Sequence, residues 1–316
     1  MSQIKSSASS PAASSQRLLK FQPLYAFWKF CRPHTVIGTS LSVIGLATIA
    51  HALNQFNLTW GGLLITLLAC LSGNVYIVGL NQIEDIAIDA INKPHLPLAA
   101  GEFSRLQAWL LVASTGLLAL LLALWQGGFL LITIGLSLLI GTAYSLPPIR
   151  LKRFSLWASL CILTVRGVIV NLGVFLHLQG GGAIPAAVWA LTLFVIVFTF
   201  AIAIFKDIPD LEGDRQYNIH TFTLRLGQRK VFDLSLWVLT SCYLGMIGAG
   251  LIPLPGVNPW FLVVTHTGAL AALWIQQRAV NLAEKASITR FYQFIWKLFF
   301  LEYLLFPIAC LLQSPP

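Results

Sequence analysis

The chain has only 11 acidic residues in 316, and several of them fall in two ordered clusters. In NQIEDIAIDAINKP, Asn81, Asp85 and Asp89 are spaced i, i+4, i+8. On a helix each step of four turns the side chain by only about 40°, so the three line one face. In FKDIPDLEGD, Asp207, Asp210 and Asp214 follow at i, i+3, i+7. They share one face if that stretch is helical, although Pro209 is placed to bend or restart it. Two carboxylates about 4 Å apart repel by roughly 4 kcal/mol at an effective dielectric of about 20, so a cation must offset them. Oxygen-only ligands suit Mg²⁺, which keeps water and takes one or two carboxylates together with substrate phosphates. Bare Asp cannot hold a diphosphate, so metal must bridge the two. The chemistry implied is a Mg²⁺–diphosphate clamp.

The two clusters belong to a weak internal repeat. Asp85 and Asp89 map onto Asp210 and Asp214 with an offset of 125, and His95 maps onto His220 with the same offset. A third segment, AYSLPPIRLKRFS, carries Arg150, Lys152 and Arg153. Arg and Lys hold diphosphate oxygens as charge builds on a leaving group, and Tyr144 adds a hydroxyl donor. Read alone, these cations are topology markers.

The elements that must position these residues are membrane spans. The chain is 57% hydrophobic and 10% charged, with mean hydropathy +0.79, whereas a soluble domain carries about 25% charged residues. Apolar blocks of roughly 20 residues match a bilayer's hydrocarbon core. Nine spans are expected, near residues 34–53, 60–82, 105–126, 128–146, 156–178, 184–206, 231–252, 258–278 and 291–312. Of the 20 Lys and Arg, 19 lie in the N-terminal tail or in alternate loops and their edges. That asymmetry puts the N-terminus and both acidic clusters on the cytoplasmic side. It also accounts for the net charge of +9 without a nucleic-acid partner. The expected architecture is an all-α bundle of nine transmembrane helices, with a central cavity opening at the cytoplasmic face. Residues 1–27 are read as a disordered cytoplasmic tail, since their Ser/Ala-rich, acid-free sequence lacks the apolar core of a secretory signal. Residues 28–316 form the membrane domain. The five scattered Cys read as small packing residues.

NQIEDIAIDAINKPHLPLAAGEFS, YSLPPIRLKR and KDIPDLEGDRQYNIHTFTLRLG resemble the UbiA-type intramembrane aromatic prenyltransferases over about residues 28–312. That family pairs an NxxxD-type first motif with a DxxxD-type second motif. The first motif is most similar to its homogentisate phytyltransferase branch, and the lack of a long plastid extension resembles the cyanobacterial form. That form implies a plasma or thylakoid membrane location. Homogentisate solanesyltransferases and chlorophyll synthases share much of the scaffold.

The resemblance implies Mg²⁺-dependent transfer of a phytyl or other prenyl group from its diphosphate to homogentisate, with loss of CO₂, giving 2-methyl-6-phytylbenzoquinol. By the same resemblance Asn81, Asp85, Asp89, Asp210 and Asp214 match the metal–diphosphate positions, with Asp207 an additional acid. Lys152 and Arg153 match the basic pair of the loop after span four, and Arg32, in CRPHTVIGT, matches the basic residue at the mouth of span one. Lys93, in NKPHLPL, either touches phosphate or packs its loop.

Away from the span edges two charges lie deep within spans, Arg166 in span five and Glu302 in span nine. A structural ion pair between them is the leading reading, ahead of acceptor or diphosphate binding by Arg166. The stretches SLSVIGLATIA and LTLFVIVFTFAIAIF are candidates to line the chamber. The rival from another class is a secondary transporter, which places its binding groups at broken helices near the midplane. Here the acids sit at span ends on one face.

Overall fold

The apolar runs fold as helices whose ends fall within a few residues of the expected spans. The computed structural model describes residues 23–217, 219–252 and 254–313; most of the N-terminal tail lies outside the described residues. Its last five residues, 23–27, expected to be disordered, belong to a short helix that runs to residue 30, ahead of the first long helix. In chain order the helices are α1 (Pro33–Ala52), α2 (Trp60–Glu84), α3 (Ile86–Asn92), α4 (Arg105–Gln126) and α5 (Gly128–Ser145). They continue with α6 (Ser155–Gln179), α7 (Ala186–Phe205), α8 (Leu211–Gln216), α9 (Phe222–Leu226), α10 (Gln228–Leu251), α11 (Pro259–Gln277) and α12 (Lys285–Leu311). Among the described residues eight of these are long and apolar enough to cross a membrane. The expected eighth span, α11, is a helix of 19 residues outside that set, because its Trp, His, Gln and Thr residues dilute its apolar character.

Local chemistry sets the helix starts. Thr59 caps α2 by accepting from Gly62 N at 3.1 Å. Ser104 and Gln107 form a reciprocal capping box at the start of α4, which satisfies two otherwise orphaned N–H groups. Asn258 caps α11 ahead of Pro259, accepting from Phe261 N at 3.0 Å.

The long helices pack each against the next, and α12 returns to α1, closing a ring. Close approaches depend on missing side chains. A Cβ on Gly116 of α4 would stand 2.5 Å from the Tyr76 ring of α2. The core is aromatic where α7, α10 and α12 meet: Phe198 and Phe299 have ring centroids 5.6 Å apart, and Phe205 and Phe291 5.7 Å.

One expectation about helix geometry is corrected, and at the second cluster the chain breaks around Pro209 before the helix restarts. Asn81, Asp85 and Asp89 do not share one unbroken helix, because α2 ends at Glu84 and Asp85 takes φ −111°, ψ 14° before α3 begins. Arg150 caps the break. Its Nη2 donates to Glu84 O at 3.2 Å, taking a carbonyl at a helix C-terminus where cations are favoured. Asp207 and Asp210 likewise lie in a turn between α7 and α8, with only Asp214 on the later helix.

Candidate active site

Three loops meet at one end of the ring. The loop after α2 and the loop after α5 are joined at Asp85. Its Oδ1 accepts from Arg150 Nη2 at 3.2 Å and lies 2.8 Å from Lys152 Nζ. Its Oδ2 accepts from Asn81 Nδ2 at 3.1 Å, so the i, i+4 contact survives the break. The loops after α2 and α7 are joined at Lys93, whose Nζ is 2.5 Å from Asp210 Oδ2 and 4.0 Å from Asp89 Oδ1. Asn92 accepts from Gly213 N at 3.0 Å, and a Cβ on Gly213 would meet the Asn92 side chain at 2.6 Å. The loops after α5 and α7 touch where His220 N donates to Arg153 O at 3.2 Å. Arg32 reaches in from the start of α1, with Nη2 3.4 Å from Asn81 Oδ1 and 3.6 Å from Asp89 Oδ2. Arg32 and Arg150 both hold left-handed backbone, at φ 52° and 39°. For a residue with a Cβ that conformation costs energy and persists only where the surroundings impose it.

The structure thus gathers Arg32, Asn81, Asp85, Asp89, Lys93, Lys152 and Asp210. Asp207 pairs with its neighbour Lys206 at 2.6 Å. Asp214 is buried beside them and makes no ion pair among the described residues. Arg153 enters through its carbonyl, with its side chain exposed. Tyr144 lines the cavity behind the cluster, together with Lys206. Arg150 is the cation that sequence reasoning treated only as part of a basic run. Its turn toward Asp85 depends on loop conformation, which spacing does not reveal.

Burial sets the electrostatics. It raises the Asp89 carboxyl above its ordinary range, against the opposing pull of Arg32 and Lys93. Asp214 is pushed up to about 7, chiefly by burial. Burial also lowers the Lys152 ammonium, with Asp85 opposing. Several buried polar atoms lack a hydrogen-bond partner: Asp89 Oδ2, and on the donor side Lys152 Nζ, Arg32 Nε and Arg150 Nε. The Lys152 ammonium is near Asp85 but off the hydrogen-bonding direction. Orphaned buried groups of both kinds are costly in a finished core. Together they suit a ligand that brings acceptors for the cations and a cation for the carboxylates. Among the described residues no group of three or more His, Cys, Asp or Glu could hold a metal unaided. A cation seated here would take further oxygen ligands beyond these carboxylates, such as water or a substrate's phosphates.

Behind the mouth lies a cavity of about 290 Å³. Arg32 and Asn81 are at its polar end, with Ile134, Leu138, Val165 and Ile202 on its apolar walls. Of the two stretches expected to line it, Ser42 contributes from the first and Ile202 and Ala203 from the second. Phe194 and Phe198 of the second stretch pack in the core.

The expected Arg166–Glu302 ion pair is not formed. His266 Nε2 stands 3.0 Å from Glu302 Oε2, and Arg166 lies over the Trp296 ring at 4.7 Å. His266, on the neighbouring helix α11, takes the Glu302 carboxylate instead, and no sequence motif marks it.

A model of the UbiA prenyltransferase family matches residues 34–298. The chain belongs to that family. It is therefore a membrane-embedded prenyltransferase, which excludes the transporter reading. It is 54% identical to the homogentisate phytyltransferase of Synechocystis sp., over 92% of this chain and 97% of that one. It is 41% identical to homogentisate phytyltransferase 1 of Arabidopsis thaliana, covering 90% and 75%, and 40% identical to the homogentisate solanesyltransferase of the same plant, covering 92% and 78%. Among solved structures, a UbiA homolog from Archaeoglobus fulgidus bound to GPP and Mg²⁺ superposes with TM-score 0.64 at 16% identity, covering 90% of this chain and 99% of that one. At that identity the likeness is one of fold.

Proposed function

We propose that this UbiA-family enzyme transfers the phytyl group of phytyl diphosphate to homogentisate, with loss of CO₂, giving 2-methyl-6-phytylbenzoquinol for tocopherol synthesis. The observation that carries the reading is the 54% identity to the Synechocystis phytyltransferase along nearly the whole of both chains. Residues 28–316 act as one prenyltransferase domain. Its mouth opens to the cytoplasm from a plasma or thylakoid membrane, in keeping with the sidedness of the Lys and Arg residues.

The residues divide the work by charge. Asp85, Asp89, Asp210 and Asp214, with Asn81 and the additional Asp207, would hold Mg²⁺, whose chemistry here is to neutralise diphosphate oxygens. Lys152, Arg150, Arg32 and Lys93 now neutralise the carboxylates. When the donor enters they turn to the diphosphate, and the unsatisfied N–H groups of Lys152, Arg150 and Arg32 find acceptors. Arg153 adds positive potential at the rim, and Tyr144 offers a hydroxyl donor from the cavity wall. As the allylic C–O bond loosens, negative charge grows on the leaving diphosphate. Fixed donors aimed at that charge stabilise the transition state more than the ground state. The apolar cavity keeps water from the allylic cation until the electron-rich ring attacks it.

The deciding experiment is a product assay on membranes carrying the protein. Homogentisate is offered with farnesyl, geranylgeranyl, phytyl and solanesyl diphosphates, with and without Mg²⁺. Phytyl transfer at the highest kcat/KM, abolished by EDTA and restored by Mg²⁺, is the expected result. Preference for solanesyl diphosphate, or no product from homogentisate, overturns the assignment.

A further inference from the structure

Arg166 is a cation without a counter-charge, facing the reaction cavity from within a membrane span. The span is specially built around it. Residues Leu163–Gly173 of α6 are wound as a π-helix, a widened turn that is rare and concentrated at functional sites. The winding is pinned from inside: Asn171 Nδ2 donates to Gly167 O at 2.8 Å, and Tyr303 Oη donates to Asn171 Oδ1 at 2.7 Å. Gly167, the next residue after Arg166, packs so tightly on α7 that a Cβ there would stand 2.6 Å from Ile196.

The guanidinium so placed lies 4.7 Å from the Trp296 ring centroid and 5.5 Å from that of Phe299. Its side chain makes no hydrogen bond or ion pair among the described residues. The acid within span reach, Glu302, is taken by His266. Aromatic faces attract a cation but do not cancel its charge, and ionisable groups inside a bilayer mark substrate sites when no protein partner answers them.

The diphosphate has its own cations at the mouth. The Trp296 ring that Arg166 covers, at 4.7 Å, also packs on His34, two residues from Arg32, with centroids 4.9 Å apart, so Arg166 stands one aromatic layer behind the mouth. A bare positive charge is also a poor neighbour for a developing allylic cation. The arrangement makes sense if a second substrate brings an anion to this depth. We infer that Arg166 binds the carboxylate of the aromatic acceptor. This rests on homogentisate being that acceptor, since its acetate arm carries the needed charge. The planar guanidinium fork takes a carboxylate through two parallel hydrogen bonds. The hydroquinone ring then lies along the aromatic wall of α12, with the carbon that takes the prenyl group, ortho to a hydroxyl and meta to the acetate arm, turned toward the mouth where the prenyl carbon is released. Arg166 thereby selects carboxylated acceptors and neutralises itself before the cation forms.

The test is steady-state kinetics of wild type, Arg166→Gln and Arg166→Lys, with homogentisate and with methylhydroquinone, the same ring without a carboxylate. Methylhydroquinone is read as substrate or as competitive inhibitor. The homogentisate KM should rise roughly 10- to 100-fold in the Gln variant, as for loss of a charge-assisted hydrogen-bonded pair. The Lys variant, which keeps the charge without the fork, should rise less. The phytyl diphosphate KM should stay constant, and methylhydroquinone should bind wild type and variants alike. An unchanged homogentisate KM in both variants overturns the inference. So does an equal rise in donor and acceptor KM, which would assign Arg166 to the diphosphate or to folding. If wild type itself transfers no prenyl group to homogentisate, the proposed function fails and takes this inference with it, an outcome distinct from the other two.

Discussion

Asp85 answers to Asn81, Arg150 and Lys152 at once, and Asp210 answers to Lys93. These contacts cross three loops, so each acid both organises the mouth and charges it. Asp85→Asn and Asp210→Asn keep size and remove charge. Each should lower kcat by roughly 100-fold or more, the scale of losing a preorganised electrostatic group. The double variant should lose little beyond the worse single, because groups that serve one assembly are not additive. Excess Mg²⁺ should partly restore the singles by mass action. Initial rates against Mg²⁺ concentration check this, and a wild-type rate and Mg²⁺ response in either single would return that acid to a solvated helix end. Lys152→Ala and Arg150→Ala should raise the donor KM and lower kcat, whereas Arg153→Ala, with its exposed side chain, should have the smaller effect. Parity of all three would place the basic loop's role in its net charge. The acids and Lys152 were legible in the sequence because rarity and spacing mark them in an apolar chain. Arg150 and the unpaired state of Arg166 were not, because both depend on which way a side chain turns in the folded molecule.

The loops at the mouth are held by helix-end contacts as much as by charge. Gly213, in α8, meets Asn92 at the end of α3 with no space for a methyl group. Gly213→Ala should push α8 away from α3 and separate Asp210 from Lys93. The expected cost is about 1–3 kcal/mol, as for inserting a methylene into a packed contact, seen as a lower Tm in detergent and a higher donor KM. An unchanged Tm and donor KM would show that this docking does not set the site. At this scale sequence reading placed the helices well, because apolar length and positive-inside charge are properties of each segment alone. It missed the break at Asp85 and the π-wound stretch around Arg166. Both are held by partners distant in sequence: Arg150 on the Glu84 carbonyl, and Tyr303 on Asn171.

At the scale of the molecule, two buried clusters among the described residues hold carboxylates. One is the catalytic mouth. The other is the His266–Glu302 pair, fully within the bundle between α11 and α12. The second touches no cavity wall and is expected to serve stability alone. His266→Phe leaves Glu302 without a partner and should destabilise the protein by about 3–5 kcal/mol. Thermal unfolding in detergent measures this. Activity per folded molecule should be preserved, and a selective loss of kcat with an unchanged Tm would move the pair into the reaction.

The closure of the ring by α12 against α1 has a consequence for biogenesis. Trp296, Phe299 and Tyr303, which supply the aromatic wall and pin the π-wound stretch, are made about 130 residues after Arg166. During synthesis the arginine enters the bilayer before its aromatic neighbours exist. The chamber takes shape only when the last span leaves the translocon and docks beside the first. Until then the half-built chain has a solitary guanidinium without its aromatic cover, the kind of nascent intermediate that an insertase would shelter. A nascent chain stopped before α12 should crosslink to the insertion machinery through position 166, and one carried to its end should be released.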